Sequence, residues 1–163
     1  MKIQEVMQRN VSFCCESDSL NIAAQMMWDN DCGCLPVITA NGEGAVVGML
    51  SDRDICMAAY TQGKLLADIP VTVAMAKSVL SCKPGDDLAL AAAVMREARI
   101  HRIPVLDDAG AVVGIVSLSD IARQSLGIGD SKVALGAQAE VTRTLAAICE
   151  PRGQQLEVLS QAA

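Results

Sequence analysis

Two stretches of the chain carry apolar residues at helical spacing: Leu20, Ala23, Ala24 and Met27, then Leu88, Ala91, Ala92 and Met95. Residues three and four apart share one helix face, so the spacing predicts helices from Leu20 to near Asp29 and from Leu88 to near Ala98. Asp18 and Asp86 stand just ahead of them as candidate caps. Val11-Ser12-Phe13 and Val79-Leu80-Ser81 predict short strands before the helices. Leu35-Pro36-Val37-Ile38 and Ile103-Pro104-Val105-Leu106 predict buried strands after them. A proline there points to the first residues of a strand or to a sheet edge. Asn41-Gly42 and Asp108-Ala109-Gly110 read as turns into second strands, Ala45 to Leu50 and Ala111 to Val116. Closing helices start at Asp52 and Leu118, capped by Ser51 and Ser117. The order β-α-β-β-α therefore occurs twice, in a mixed α/β (α+β) chain.

The two units are copies of one another. With Met7 placed over Met75, Val11 falls on Val79, Cys14 on Cys82, Asp18 on Asp86 and Pro36-Val37 on Pro104-Val105. The first copy then holds two extra residues in the turn from Ala40 to Gly44. Beyond it Ala45-Val46-Val47-Gly48 matches Ala111-Val112-Val113-Gly114, and Asp54-Ile55 matches Asp120-Ile121. A length change confined to a turn is what loops tolerate. One such unit leaves a sheet face apolar and bare, and it buries too little to stand alone. The repeat predicts one pseudo-twofold domain in which the sheet faces meet, with a cleft at the seam.

The repeated polar residues carry the chemistry. Ser51-Asp52-Arg53-Asp54 and Ser117-Leu118-Ser119-Asp120 both read Ser-x-x-Asp at a strand-to-helix junction. That pattern caps a helix. The same geometry offers free N–H groups to a phosphate and a carboxylate to a vicinal diol such as a ribose. Its recurrence at one point of each repeat gives the second reading weight.

Gly33-Cys34-Leu35-Pro36-Val37 and His101-Arg102-Ile103-Pro104-Val105, each followed by Gly-x-x-Ser-x-x-Asp, resemble cystathionine-β-synthase (CBS) domains, and the tandem resembles a Bateman module. The likeness runs from residue 3 to about residue 125. It implies CBS repeats at 3–62 and 70–127, packed with pseudo-twofold symmetry, and adenosine-containing ligands in clefts at the seam. AMP, ADP, ATP, S-adenosylmethionine and NAD are the ligands it suggests, as regulatory signals rather than obligatory cofactors. It also implies a homodimer.

Carried over residue by residue, Asp54 and Asp120 match the family's ribose-binding aspartates, and Ser51 and Ser117 the hydroxyls beside ribose or phosphate. Val11-Ser12 and Val79-Leu80, with Cys34-Leu35 and Arg102-Ile103, match the segments that enclose adenine. Basic residues ahead of the proline reach phosphates in the opposite repeat's cleft. Here the copies differ, with His101 and Arg102 in the second against Gly33 and Cys34 in the first, and Arg53 against Ser119. The Ser51/Asp54 cleft is thus expected to hold the more phosphorylated ligand, served by Arg53, His101 and Arg102. The Ser117/Asp120 cleft faces Gly33 and Cys34, which offer no charge, and is expected to be weaker, empty or suited to a ligand with little phosphate. The plainer alternatives are a surface His101, a solvated Arg53 and methionines that fill the core.

Composition narrows the function. Thirteen basic against nineteen acidic residues leave a net charge of −6, which opposes phosphate-backbone and anionic-membrane binding. Aromatics are 2% of the chain, too few for a base-stacking platform. No apolar run nears the roughly 18 residues that span a bilayer. The seven cysteines are odd in number and without an export signal ahead of them, which points to reduced thiols in the cytoplasm. Cys14-Cys15 with Cys32-x-Cys34 leaves a metal or redox site open, though no Cys-x-x-Cys is present and the one histidine is distant.

Residues 56–70 read as a connector, with Gly63 ending a helix and Pro70 marking entry to the second copy. From residue 131 to 163 a helical extension is expected. Val141, Leu145 and Ile148 would pack back on the module, Pro151 would stop the helix, and the end from Gly153 would fray. No Walker-type loop or paired catalytic carboxylates suggest an enzyme. The reading is a ligand-sensing regulatory module that signals to an unidentified protein. Its alternatives are a nucleotide-free interaction scaffold and a cysteine-based redox or metal sensor.

Overall fold

The structure, a computed structural model, describes residues 1–40, 44–127 and 132–150. The turn at Asn41-Gly42, the start of the extension at Ser131, Pro151 and the end from Gly153 lie outside the described residues. Strand β1 (Cys14–Cys15), helix α1 (Leu20–Asp29), strands β2 (Cys34–Ile38) and β3 (Val46–Ser51) and helix α2 (Asp52–Gln62) form the first unit. After a short helix α3 (Val71–Ala74) come α4 (Leu88–Ala98), β4 (Arg102–Leu106), β5 (Val112–Ser117) and α5 (Leu118–Gly127), then α6 (Lys132–Cys149). It is a mixed helix-and-strand fold, as the pattern predicts.

The expected strands at Val11–Phe13 and Val79–Ser81 fall further along. β1 begins at Cys14, and its counterpart is a single parallel bridge between Cys82 and Val105. Asp18 and Asp86 do not cap the helices, whose N-caps are Ser19 and Asp87. Each instead closes the turn before its helix, accepting the N–H of Cys15 and of Lys83 at 2.8 Å. Gly63 ends α2 in the left-handed conformation at φ 60°, as expected of it.

β2 is a central strand, with β1 parallel on one side and β3 antiparallel on the other. Pro36 is nonetheless tolerated inside it. β1 pairs only with Val37 and Ile38, and Met49, opposite Pro36, turns its N–H and C=O away to Ala76 at 3.0 and 2.8 Å. No ladder bond needs a Pro36 N–H. Pro104 repeats the arrangement, with Ile115 opposite it bonded to Gln8 at 2.9 Å in both directions. Both hairpins shift register at the same place, after Val37 and after Val105.

Ala76 and Gln8 reveal a crossover that the repeat does not. Each unit's leading segment is built into the other unit's sheet. Ile69 and Val71 belong to the buried cluster of Leu20, Leu35, Val37 and Leu50, while Ile3 and Met7 belong to that of Ala91, Met95, Ile103 and Val116. The expected single core between facing sheets is replaced by two buried clusters, one per unit, laced together by exchanged chain. Met75 and Met7 anchor the exchange over Gly48 and Gly114, where a β-carbon would stand 2.6 Å from the sulfur in each case.

α6 packs on α4 and α5. Val141 and Ile148 join the second cluster, and Arg96–Glu140 and Arg99–Glu150 ion pairs tie the helix down. The inward face differs from the expected one. Thr144 is fully buried and Leu145 is exposed, because Val141, Thr144 and Ile148 follow the i, i+3, i+7 stripe.

Candidate functional site

Ser51 and Ser117 end β3 and β5 in extended conformation, and the next residue opens a helix. Asp54 and Asp120 sit one turn in and reach back. Asp54 Oδ2 accepts the Ser51 N–H at 2.9 Å and hydroxyl at 2.6 Å, and the Asp54 N–H donates to Ser51 Oγ at 3.3 Å. Asp120 repeats this with Ser117 at 2.8, 2.5 and 3.2 Å. Both capping boxes exist, so capping and ligand chemistry share one geometry.

The second oxygens differ. Asp120 Oδ1 accepts the Gln8 amide at 3.0 Å and the Arg123 guanidinium. Asp54 Oδ1 has neither, as Ala76 and Met57 hold the matching positions. Asp120 is 5% exposed. Burial alone would raise its pKa, but bonds from Ser117, Gln8 and Arg123 outweigh it and hold the carboxyl below its ordinary range.

A cavity of about 480 Å³ opens at Asp120. Of the expected site residues it gathers Val11, Ser12, Cys34, Arg102, Ser117 and Asp120, drawn from both repeats. Ser51, Arg53, Asp54, His101, Val79 and Leu80 lie outside it. Leu35 and Ile103 are fully buried core residues, so only their backbone remains to face a ligand. His101 and Arg53 are exposed.

One expectation is overturned here. The Ser117/Asp120 cleft is not uncharged, since Arg102 and Arg123 both line it. Arg102 projects past Gly33, with a guanidinium nitrogen 3.9 Å from where a Gly33 β-carbon would stand, and its charge acts to lower the pKa of the Cys34 thiol, which burial raises. Gln8, Asn10, Ser119 and Arg123 also line the cavity, and the sequence reading passed over them as site residues. Arg123 was findable as the residue one turn beyond Asp120. Gln8 was not, because its place depends on the chain exchange.

The cysteines do not converge. Among the described residues no cluster of three or more His, Cys, Asp or Glu side chains is placed to hold a metal. Burial pushes the Cys14 thiol up to about 12 and that of Cys82 to about 11.

The family model for the CBS domain matches residues 3–60 and again 66–127. This chain belongs to the CBS domain family. The CBS domain-containing protein YhcV of Bacillus subtilis is 31% identical over 120 residues, 74% of this chain and 82% of its own length. A homoserine O-acetyltransferase of Methanocorpusculum labreanum is 30% identical over 117 residues, 72% of this chain, but the match spans only 23% of that protein. Among solved structures, the CBS domain pair of protein MJ0100 in complex with 5-methylthioadenosine and S-adenosyl-L-methionine aligns with a TM-score of 0.68. It is 25% identical, and the alignment covers 78% of this chain and 97% of that one. Among the described residues of this CBS pair, no helix is long and apolar enough to cross a membrane.

Proposed function

We propose that this CBS pair is a regulatory module, not an enzyme, that binds an adenosine-containing ligand in the cleft of Ser117 and Asp120. One observation carries the reading. A buried, ionised carboxylate stands at a helix start beside a cavity of about 480 Å³ built from both repeats. Asp120 and Ser117 would hold the ribose, Val11, Ser12 and Cys34 the base, and Arg102 a phosphate. The MJ0100 pair, with methylthioadenosine and S-adenosylmethionine bound, supports an adenosine ligand. Two cations in this cleft favour AMP, ADP, ATP or NAD among the candidates. Asp54 with Ser51 forms the second, less furnished site. Occupancy then changes what the module offers to a partner protein, in the cytoplasm, where its seven unpaired thiols stay reduced.

A homodimer belongs to the same reading. α6 covers α4 and α5, while the matching helices α1 and α2 of the first repeat present Ile22, Trp28, Met57 and Tyr60 to solvent. Apolar surface of that kind suits a second copy. A thermal-shift panel of adenine and guanine nucleotides tests the ligand. An adenine ligand at 100 times its dissociation constant adds about 2.7 kcal/mol. No response to any adenine compound returns the module to a scaffold.

A further inference from the structure

A carboxylate has about four acceptor positions, and in the free cleft Asp120 has all four filled. Oδ2 takes the Ser117 N–H and hydroxyl, and Oδ1 takes Gln8 and Arg123. A ribose diol can bond this carboxylate only by displacing a donor. The Ser117 pair is fixed by the helix cap. The Gln8 backbone is fixed by two bonds to Ile115, which leaves only its short side chain free to turn. Arg123 is held by its tip alone, and its side chain is 67% exposed. Arg123 is therefore the donor that leaves.

We propose that Arg123 makes the Ser117/Asp120 cleft select phosphorylated over unphosphorylated nucleosides, by passing from Asp120 to the ligand's phosphate as the ribose takes its place. The proposal rests on the adenosine-binding reading above. An uncharged nucleoside takes the Asp120 oxygen and leaves the Arg123 cation unpaired beside Arg102, with Asp31 as the remaining acid of the lining. A phosphate takes the cation up again, and charge-assisted bonds of that kind are the stronger ones. The first repeat has Met57 at the position of Arg123, and among the described residues nothing bonds Asp54 Oδ1, so its cleft exchanges nothing and lacks this selectivity.

The test is calorimetric titration of the full chain with AMP and with adenosine. An Asp54→Ala background confines the heat to the Asp120 cleft. Arg123→Met should lower the AMP-to-adenosine affinity ratio at least tenfold, with adenosine binding unchanged or tighter. Arg123→Lys, which keeps the charge, should restore most of the ratio. An unchanged ratio in Arg123→Met, whether both affinities fall together or neither moves, overturns the proposal and leaves Arg123 as a brace for Asp120. The underlying reading fails in a different way: neither ligand binds the Asp54→Ala chain, or adding Asp120→Asn to it leaves binding untouched.

Discussion

Met75 places its sulfur 2.6 Å from the point where a β-carbon on Gly48 would stand, and the Ala76 carbonyl oxygen lies 3.1 Å from the same point. The close approach seats the second repeat's leader in the first repeat's sheet. The same relation, between Met7 and Gly114, seats the first leader in the second sheet. Added bulk must push out a side chain and strain a backbone bridge. Gly48→Ala and Gly114→Ala should each lower unfolding free energy by about 1–3 kcal/mol. Gly85→Ala, which meets open space, should be neutral within about 0.5 kcal/mol. Urea denaturation of the three variants checks this. Equal midpoints would mean that the exchange does not depend on these contacts.

That exchange marks where the sequence stops being readable. The helices, the two hairpins and the Ser-x-x-Asp junctions follow from local periodicity and capping, and they lie where the pattern puts them within a residue or so. The alignment of Met7 with Met75 is also right. Nothing local in it says that each methionine lies over the other repeat's glycine, because a leader of a few residues reaches either sheet equally well. The same blindness hid that Arg102 lines the Ser117/Asp120 cavity. Its strand position was legible, but the direction in which its side chain crosses Gly33 was not. Asp18 and Asp86 were misread for another reason, since an aspartate two residues before a helix serves a turn as well as a cap.

The α6 stripe gives a second prediction. Thr144 Oγ1 is buried without a hydrogen-bond partner among the described residues. An unsatisfied hydroxyl costs about 1–3 kcal/mol, and valine keeps the shape without it. Thr144→Val should raise stability by about 1 kcal/mol. A loss of stability on thermal unfolding would show that the hydroxyl has a partner after all.

Acid titration gives a third. The bonds to Asp120 lower its folded pKa below the unfolded value, despite burial. Its stabilisation is therefore fully present above the unfolded carboxylate range, near pH 4, and is lost as pH falls through the folded pKa. The gap in unfolding free energy between wild type and Asp120→Asn should be widest at neutral pH and close on acidification. A gap that widens in acid would reverse the sign argued here.

Thiol labelling gives a fourth. Cys14 and Cys82 are buried and their thiols are pushed up to about 12 and about 11, so almost no thiolate forms at pH 8. Cys56 and Cys149 are exposed. Iodoacetamide followed by peptide mass spectrometry should modify the exposed pair first and the buried pair only on unfolding. Early labelling of Cys14 or Cys82 would reopen the redox-sensor alternative.

The central claim is that the Asp120 carboxylate holds the ribose of an adenosine ligand. The most direct measurement compares AMP with its 2′,3′-dideoxy analogue by calorimetry, on wild type and on Asp120→Asn. Wild type should prefer AMP by at least tenfold, and Asp120→Asn should abolish that preference while still folding. Equal affinity of wild type for the two ligands, or a preference that survives in Asp120→Asn, would contradict the account.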